Sequence, residues 1–564
     1  MIEIVVGKST TRKRAKSLFI ETWAETEEDA IKMSTKLARL PEVVEIDSNN
    51  FEVPYRHFND ILDELDEWEL HIYGDLDSNV QQYIESRNRI SSTEETEFQF
   101  KTEPFSHQIE CFEYAKDHPC FLLGDEQGLG KTKQAIDIAV SRKNAFKHCL
   151  IVCCISGLKW NWAKEVEIHS NQKAHILGSR VNKKNELVID GVAKRAEDLL
   201  QHHDEFFLIT NIETLRDSTF INYLNQLTKS GEIGMVIIDE VHKCKSSTSK
   251  QGKSIHKLQS YYKMALTGTP LMNNPIDIFN IMKWLGVEHH TLTQFKERYC
   301  IVDNFNQITG YRNLGELREL VDEFMLRRKK EEVLDLPEKI RIAEYVDMNS
   351  KQAKIYKEVL TKLIEDIDKV KLMPNPLAET IRLRQATGNP SILTTQDVKS
   401  AKFERAFELI EECIADGKSC VVFSNWEKVI QPFYMQLKNS YKCNLVTGET
   451  EDKFAEIEDF MNYPKPSIIM GTIGALGTGF TLTKADTVIF LDSPWTRAEK
   501  DQAEDRCHRI GAKSTVTIYT IIAKGTVDEK IEELIEHKGE LADYIVDGKP
   551  LKAKMGSLFD ILLL

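Results

Sequence analysis

Lys131 and Thr132 close the run Gly124-Asp125-Glu126-Gln127-Gly128-Leu129-Gly130-Lys131-Thr132, whose residue types suit a phosphate. Gly128 and Gly130 let successive backbone N–H groups turn inward on an anion, and a following helix adds the positive end of its dipole. Lys131 can reach β- and γ-phosphates, and Thr132 can place its hydroxyl on Mg2+. Asp125 stands where the strict pattern has Gly. Further on, Asp239-Glu240-Val241-His242 ends an Ile/Val run. Asp239 can hold Mg2+ through water, and Glu240 can orient and deprotonate an attacking water. Late in the chain, Gln502-Ala-Glu-Asp-Arg506-Cys-His-Arg509-Ile-Gly511 carries two guanidinium groups three residues apart, on one face if the segment is helical. Such groups fit the oxygens of a γ-phosphate better than Lys does. Each pattern alone is also an ordinary turn, acidic pair or surface Arg pair; in this order they are the parts of a phosphoryl-transfer site.

These residues need elements to position them. Cys120–Leu123 reads as a strand and Gln134–Val140 as a helix, which is the context a phosphate loop requires. Just upstream, Pro104-Phe-Ser-His-Gln108 opens a helix, and the Gln108 amide can read an adenine edge. His148–Cys153, Phe206–Thr210, Met235–Ile238 and Met264–Thr267 are short apolar runs divided by helical patterns, which indicates a parallel sheet. Asp239 and Glu240 then sit at the carboxyl end of a strand, where open α/β sheets bind ligands. Leu266-Thr267-Gly268-Thr269-Pro270 ends another strand, and its hydroxyls can relay the state of a neighbouring loop. Pro275 to Lys330 reads as mostly helical. From Ser419 a second α/β pattern begins, with strands at Cys420–Phe423, Ser467–Met470, Val488–Leu491 and Val516–Ile522. It lacks a phosphate loop. Its glycine-bearing Ala475-Leu-Gly477-Thr-Gly479 loop suits close backbone approach to a nucleotide at Gly479. Residues 1–95 read as a small α+β unit, with strands at Ile2–Val6, Ser17–Trp23, Val43–Ile46 and Asn50–Val53 and helices at Glu27–Leu40 and His57–Leu65. Ile90–Thr102 is a linker.

At 564 residues the chain holds several domains. No apolar run reaches the roughly 20 residues that span a bilayer, and the N-terminus lacks the pattern of a signal peptide. The expectation is a soluble, cytoplasmic protein without membrane partners. Its 11 cysteines show no zinc-type pairing and read as reduced thiols. A net charge of −15 does not exclude a local basic track for nucleic acid.

Together the motifs resemble the ordered series of superfamily II helicase-like ATPases, and within it the Swi/Snf family. Asp-Glu-x-Gly-Leu-Gly-Lys-Thr is that family's own phosphate loop, so Asp125 is a family feature. Asp239-Glu-Val-His242 and Leu266-Thr-Gly-Thr-Pro-Leu-Met-Asn-Asn274 are similar to its second and third motifs. Met325-Leu-Arg-Arg328 with Leu336-Pro337, and Leu383-Arg-Gln385 with Asn389-Pro390, are similar to its lobe-connecting segments. Gln502–Gly511, with Ala523-Lys-Gly-Thr526, is closest to the compact annealing-helicase branch. Ile155 and Ala512 depart from the usual Pro and Gln.

The resemblance, spanning about Pro104 to Ile535, implies two RecA-like parallel-sheet lobes with helical insertions, at 96–335 and 336–535, after the N-terminal α+β domain and before a helical tail at 536–564. It implies an ATP- and Mg2+-using motor. Gln108, Asp125, Gly128, Gly130, Lys131, Thr132 and Gly479 would bind nucleotide, with Thr132 and Asp239 at the metal. Lys131, Asp239, Glu240, Arg506 and Arg509 would act in hydrolysis, and His242, Thr267, Gly268, Thr269 and Gln502 would couple it to motion. Lys159, Thr210 and Asn211 in the first lobe, and Ser424, Asn425 and Thr472 in the second, would grip the backbone of duplex DNA. A monomeric bacterial or viral translocase acting on DNA or a DNA-bound protein is the expected protein. A strand-separating or RNA-remodelling helicase is the nearest rival. A nucleotide-gated DNA-binding module that recruits a partner is a rival of another class. A small-molecule kinase leaves everything after residue 270 unexplained.

Overall fold

The computed structural model describes residues 2–547 apart from 11–15, 25, 41, 59–60, 63–64, 66–67, 69, 75, 77, 92–97, 156–157, 182–186, 202, 271–273, 304–307, 335, 366–376, 395, 397, 478–479 and 510–513. Gly479, Gly511, Ala512, part of the third motif and the tail beyond residue 547 therefore lie outside the described residues. The chain divides into two compact units, one of residues 1–125, 130–271 and 275–328 and one of residues 126–129, 272–274 and 329–564. No helix among the described residues is long and apolar enough to cross a membrane.

The first unit opens with β1 (Ile2–Lys8), β2 (Lys16–Thr22), β3 (Val44–Glu45), β4 (Asn50–Pro54) and β5 (Leu70–Tyr73), in the order β3-β4-β2-β1-β5. The alternation of Ile2, Ile4, Leu18, Ile20, Phe51 and Val53 buries one face of this sheet with Met33 and Leu37 of the helix Glu27–Arg39. Thr26 caps that helix, its side chain accepting from the Asp29 N–H. β5 was not expected, because its four residues sit in a strongly acidic stretch.

The rest of the unit is built on β6 (Cys120–Leu123), β7 (His148–Cys153), β8 (Ala174–Ile176), a β9–β10 hairpin (Ser179–Val181, Leu187–Ile189), β11 (Phe207–Asn211), β12 (Ile233–Asp239), β13 (Tyr262–Leu266), a β14–β15 hairpin (Cys300–Val302, Ile308–Tyr311) and β16 (Met325–Leu326). Seven of these form one parallel sheet in the order β16-β6-β13-β12-β7-β11-β8. Central strands such as β7 and β11 are buried throughout, which explains their continuous apolar composition. The region from Pro275 is helical at Ile276–Leu285, Leu292–Tyr299 and Leu314–Phe324, interrupted by the unexpected hairpin.

The second unit has its own parallel sheet. Its strands are β17 (Lys339–Val346), β18 (Ser419–Ser424), β19 (Cys443–Val446), β20 (Ile468–Thr472), β21 (Ala485–Phe490) and β22 (Val516–Ala523), in the order β17-β22-β21-β18-β20-β19. Apolar clusters cover both faces, one around Val422, Ile430 and Phe433 and the other around Phe423, Phe460 and Ile518. β17 escaped the sequence reading because it is a half-exposed edge strand studded with charges.

Candidate nucleotide site

β6, β13, β12 and β7 lie side by side and parallel, so their carboxyl ends bring the phosphate loop, the Thr267 turn and the Asp239-Glu240 pair to one edge. The loop leaves β6 at Gly124 and enters the helix Lys131–Ser141. Gly128 and Gly130 have φ of +90° and +75°, which only glycine adopts without strain. A Cβ on Gly130 would also lie 2.5 Å from Gln108 Nε2, so Gln108 is seated against the loop backbone. Its Oε1 accepts from the Phe105 N–H (3.1 Å).

Asp125 is fully buried, and its carboxylate is turned away from a ligand role. Arg328 donates to it from Nε (3.0 Å) and Nη2 (2.7 Å), and Gln134 Nε2 donates at 3.1 Å. Arg328 also donates to the His107 carbonyl and to Gln134 Oε1 (2.9 Å). The residue that breaks the strict loop pattern is thus the anchor of a buried ion pair that fixes the loop. Arg327 adds a second tie, donating to the carbonyls of Gly124 (2.6 Å) and Gly268 (3.3 Å).

Lys131 donates to the Asp125 carbonyl at 2.7 Å. Burial pulls its ammonium below the usual lysine range, opposed by the charges of Glu240, Asp125 and Asp239. Asp239 is half-buried; desolvation and the neighbouring Glu240 push its carboxyl up to about 7, against the hydrogen bond from Trp162 Nε1 (2.8 Å) and the charge of Lys131. Glu240 takes up a left-handed conformation (φ +53°, ψ +46°), a strain that non-glycine residues hold mainly at functional positions. His242 Nδ1 lies 3.2 Å from Glu240 Oε2 and 2.9 Å from Thr267 Oγ1, and the Thr269 N–H donates to Thr267 Oγ1 (3.1 Å). His242 therefore bridges the acidic pair and the Thr-Gly-Thr turn. Trp162 was missed: an indole in a helix gives no sign of its partner until β12 is placed beside it.

Asp239 is a hard oxygen donor whose ionised form is penalised both by burial and by Glu240. A divalent cation would relieve both costs, so the donor set fits Mg2+.

In the second unit the helix Arg497–Glu504 ends before either arginine, so Arg506 and Arg509 do not share a helical face. Arg506 is buried, donating to the carbonyls of Gly477 (3.1 Å) and Phe480 (3.4 Å); Arg509 is half-buried and donates to Thr481 Oγ1 (2.9 Å). Gln502 is buried two residues before the helix end.

The residues expected at DNA also need correction. Lys159, Thr210, Asn211 and Ser424 are buried, Lys159 only 3 % exposed, so they offer little surface to a phosphate. Asn211 Oδ1 instead accepts from Arg195 Nη1 (2.6 Å) and Thr214 Oγ1 (2.9 Å). Ser424 Oγ donates to Asp492 Oδ2 (2.5 Å), and the Asn425 N–H donates to Asp492 Oδ1 (2.9 Å). Half-buried Asn425 and Thr472 remain at strand ends. Behind them Arg384, also missed, is stacked between Trp426 and Trp495 (4.7 and 4.4 Å to the ring centroids) and donates to the Ser493 carbonyl.

A parallel sheet that gathers a glycine-rich loop, an Asp-Glu pair and a Thr-Gly-Thr turn at adjoining strand ends defines a nucleotide-binding lobe of RecA type. Residues 66–392 match the SNF2-related domain and residues 401–511 the helicase conserved C-terminal domain; the chain belongs to the SNF2-related family. It is 30% identical over 429 residues to an uncharacterized ATP-dependent helicase of Mycoplasma pneumoniae, a match covering 74% of this chain and 39% of that protein. It is 26% identical over 449 residues to the putative ATP-dependent helicase/translocase YwqA of Bacillus subtilis, covering 76% and 46%. To the DNA annealing helicase and endonuclease ZRANB3 of Bos taurus it is 28% identical over 467 residues, covering 80% and 41%. The matches span less than half the length of these relatives.

Proposed function

We propose that this chain hydrolyses ATP and uses the energy to translocate along duplex DNA, remodelling DNA or DNA–protein complexes. The observation that carries the reading is the cluster of half-buried Lys131 and Asp239 with buried, strained Glu240 at adjoining strand ends, with His242 linking it to Thr267. Glu240 orients and deprotonates the attacking water, and Lys131 draws charge from the transferred phosphoryl group. Mg2+, held by Asp239 and Thr132, supplies further charge neutralisation when bound. We assign the γ-phosphate to Arg509, since Arg506 is buried and donates to the carbonyls of Gly477 and Phe480. Division into an accessory domain at 1–95, motor lobes at 96–335 and 336–535 and a tail at 536–564 belongs to this proposal, as does a monomeric cytoplasmic protein. Relatives named as helicases or a helicase/translocase support it.

The test is the steady-state ATPase rate without nucleic acid and with duplex DNA, single-stranded DNA or RNA, Lys131→Ala serving as the blank. Stimulation by duplex DNA, absent in the blank, is expected. Stimulation mainly by single strands or RNA replaces the translocase with a strand-separating helicase. No stimulation by any of them overturns the reading in favour of a gated binding module.

A further inference from the structure

Away from the nucleotide site, three metal-ligating side chains converge at the edge of the first unit's large sheet. His175 lies on edge strand β8, Asp198 on the helix Val192–Leu199, and His203 on the segment leading into β11. One ligand atom from each falls within 4.8 Å of the others. His175 Nε2 is 2.7 Å from Asp198 Oδ2, and His203 Nε2 is 3.9 Å from Asp198 Oδ1. The two imidazoles stack with centroids 4.8 Å apart. In a tetrahedral zinc site, ligands at about 2.0–2.1 Å from the metal stand roughly 3.3 Å from one another. The observed separations bracket that figure.

We propose that His175, Asp198 and His203 form a binding site for a divalent transition-metal ion of the Zn2+ type, with a fourth position for water. Two imidazoles and one carboxylate are a donor set that suits Zn2+ rather than Mg2+ or Ca2+. The carboxylate is already oriented, since the Gly178 N–H donates to Asp198 Oδ2 at 2.6 Å, the kind of outer contact that fixes a ligand. Glu205 Oε2 lies 3.8 Å from His203 Nδ1, the ring nitrogen facing away from Asp198, where it can serve as an outer partner that orients the imidazole. His203 Nε2 now faces the Asp198 carbonyl at 2.6 Å, so coordination through this atom exchanges that hydrogen bond for the metal. The site is half-exposed at His175 and Asp198, which gives the ion a path from solvent.

The location gives the ion a task. β8 is three residues long and, among the described residues, pairs with β11 alone; Ile176 is its one core residue. The ion would staple β8 to the helix Val192–Leu199. That helix carries Arg195, which holds Asn211 and Thr214.

The experiment uses the full chain, stripped with a chelator and titrated with Zn2+ against a chromophoric competitor. Stoichiometric binding of one ion is expected, with a rise in melting temperature on loading. In His175→Gln, His203→Gln and Asp198→Asn, affinity falls by about 100-fold or more, at or beyond the upper end for losing an outer-shell partner. Basal ATPase and far-UV circular dichroism without Zn2+ are unchanged in His175→Gln. A wild-type chain that fails to retain Zn2+ against the competitor overturns the proposal. So does equal binding by wild type and all three variants, or a melting temperature lowered in the variants with no response to Zn2+ in the wild type, which describes a hydrogen-bonded trio and no metal.

Discussion

Half-buried Asp239 and buried Asp505 are both desolvated carboxylates at the end of a regular element, and they are treated in opposite ways. Asp505 follows the helix Arg497–Glu504 and is met by two ammonium groups, Lys339 at 2.8 Å and Lys330 at 2.9 Å. Burial would raise its carboxyl, but Lys339 and Lys330 outweigh that and hold it down at about 2. Beside it Glu504 accepts from Arg341 Nη2 at 2.6 Å. Asp239, at the end of β12, has a like charge next to it and is pushed up to about 7. A compensated carboxylate serves the fold. One left short of positive charge at a strand end is poised for a ligand that brings it.

The largest effect should come from the uncompensated side. Glu240→Gln is expected to lower ATP turnover by at least ~10²-fold, the lower end for loss of general-base assistance, while nucleotide binding measured by a fluorescent analogue persists. Undiminished turnover would remove Glu240 as the base. Arg509→Ala should cost about 10³-fold in turnover, and Arg506→Ala should instead lower the melting temperature by releasing the Gly477 and Phe480 carbonyls. The reverse pattern would exchange their roles.

Stability separates the two carboxylates further. Asp239 has a raised folded value, so the nucleotide-free protein loses stability as pH rises from the unfolded carboxylate range through about 7. Asp239→Asn should therefore raise the apo melting temperature at pH 8 by a few degrees (~2–4 °C), with the gap shrinking towards pH 5, while abolishing activity. Asp505 has a lowered folded value, so its contribution is present above the unfolded carboxylate value and is lost as pH falls towards 2. Asp505→Asn should destabilise at neutral pH by roughly 3–5 kcal/mol in urea melts, because Lys330 and Lys339 lose the carboxylate that compensates them. If both variants move the midpoint the same way, the contrast fails. Trp162→Phe is the smallest change, expected to cost about 1–2 kcal/mol at most by removing one hydrogen bond to a charged acceptor.

Much of this was legible in the sequence. The phosphate loop, the Asp239 pair and the five inner strands of the first unit's large sheet could be placed because buried parallel strands are apolar throughout and glycine-rich turns have few uses. Edge strands β8, β16 and β17 were not, being short or charged on an open side. Arg328, Trp162 and Arg384 were invisible as functional supports for another reason. Their partners lie far along the chain, and only the strand order brings them together. The buried state of Lys159, Thr210 and Asn211 was not legible, because polar residues show their burial only once a sheet and its helices are packed around them.

The order of the large sheet also bears on how the chain is made. β6, which launches the phosphate loop, is flanked by β13 and β16, and the Gly124 carbonyl is held by Arg327, 203 residues away. At roughly 5–20 residues per second, a ribosome takes about 10–40 s to supply that partner. During that interval the loop, although among the first motifs synthesised, has an open sheet edge beside it. A nascent chain stalled before Arg327 should therefore not retain nucleotide, and one released after it should.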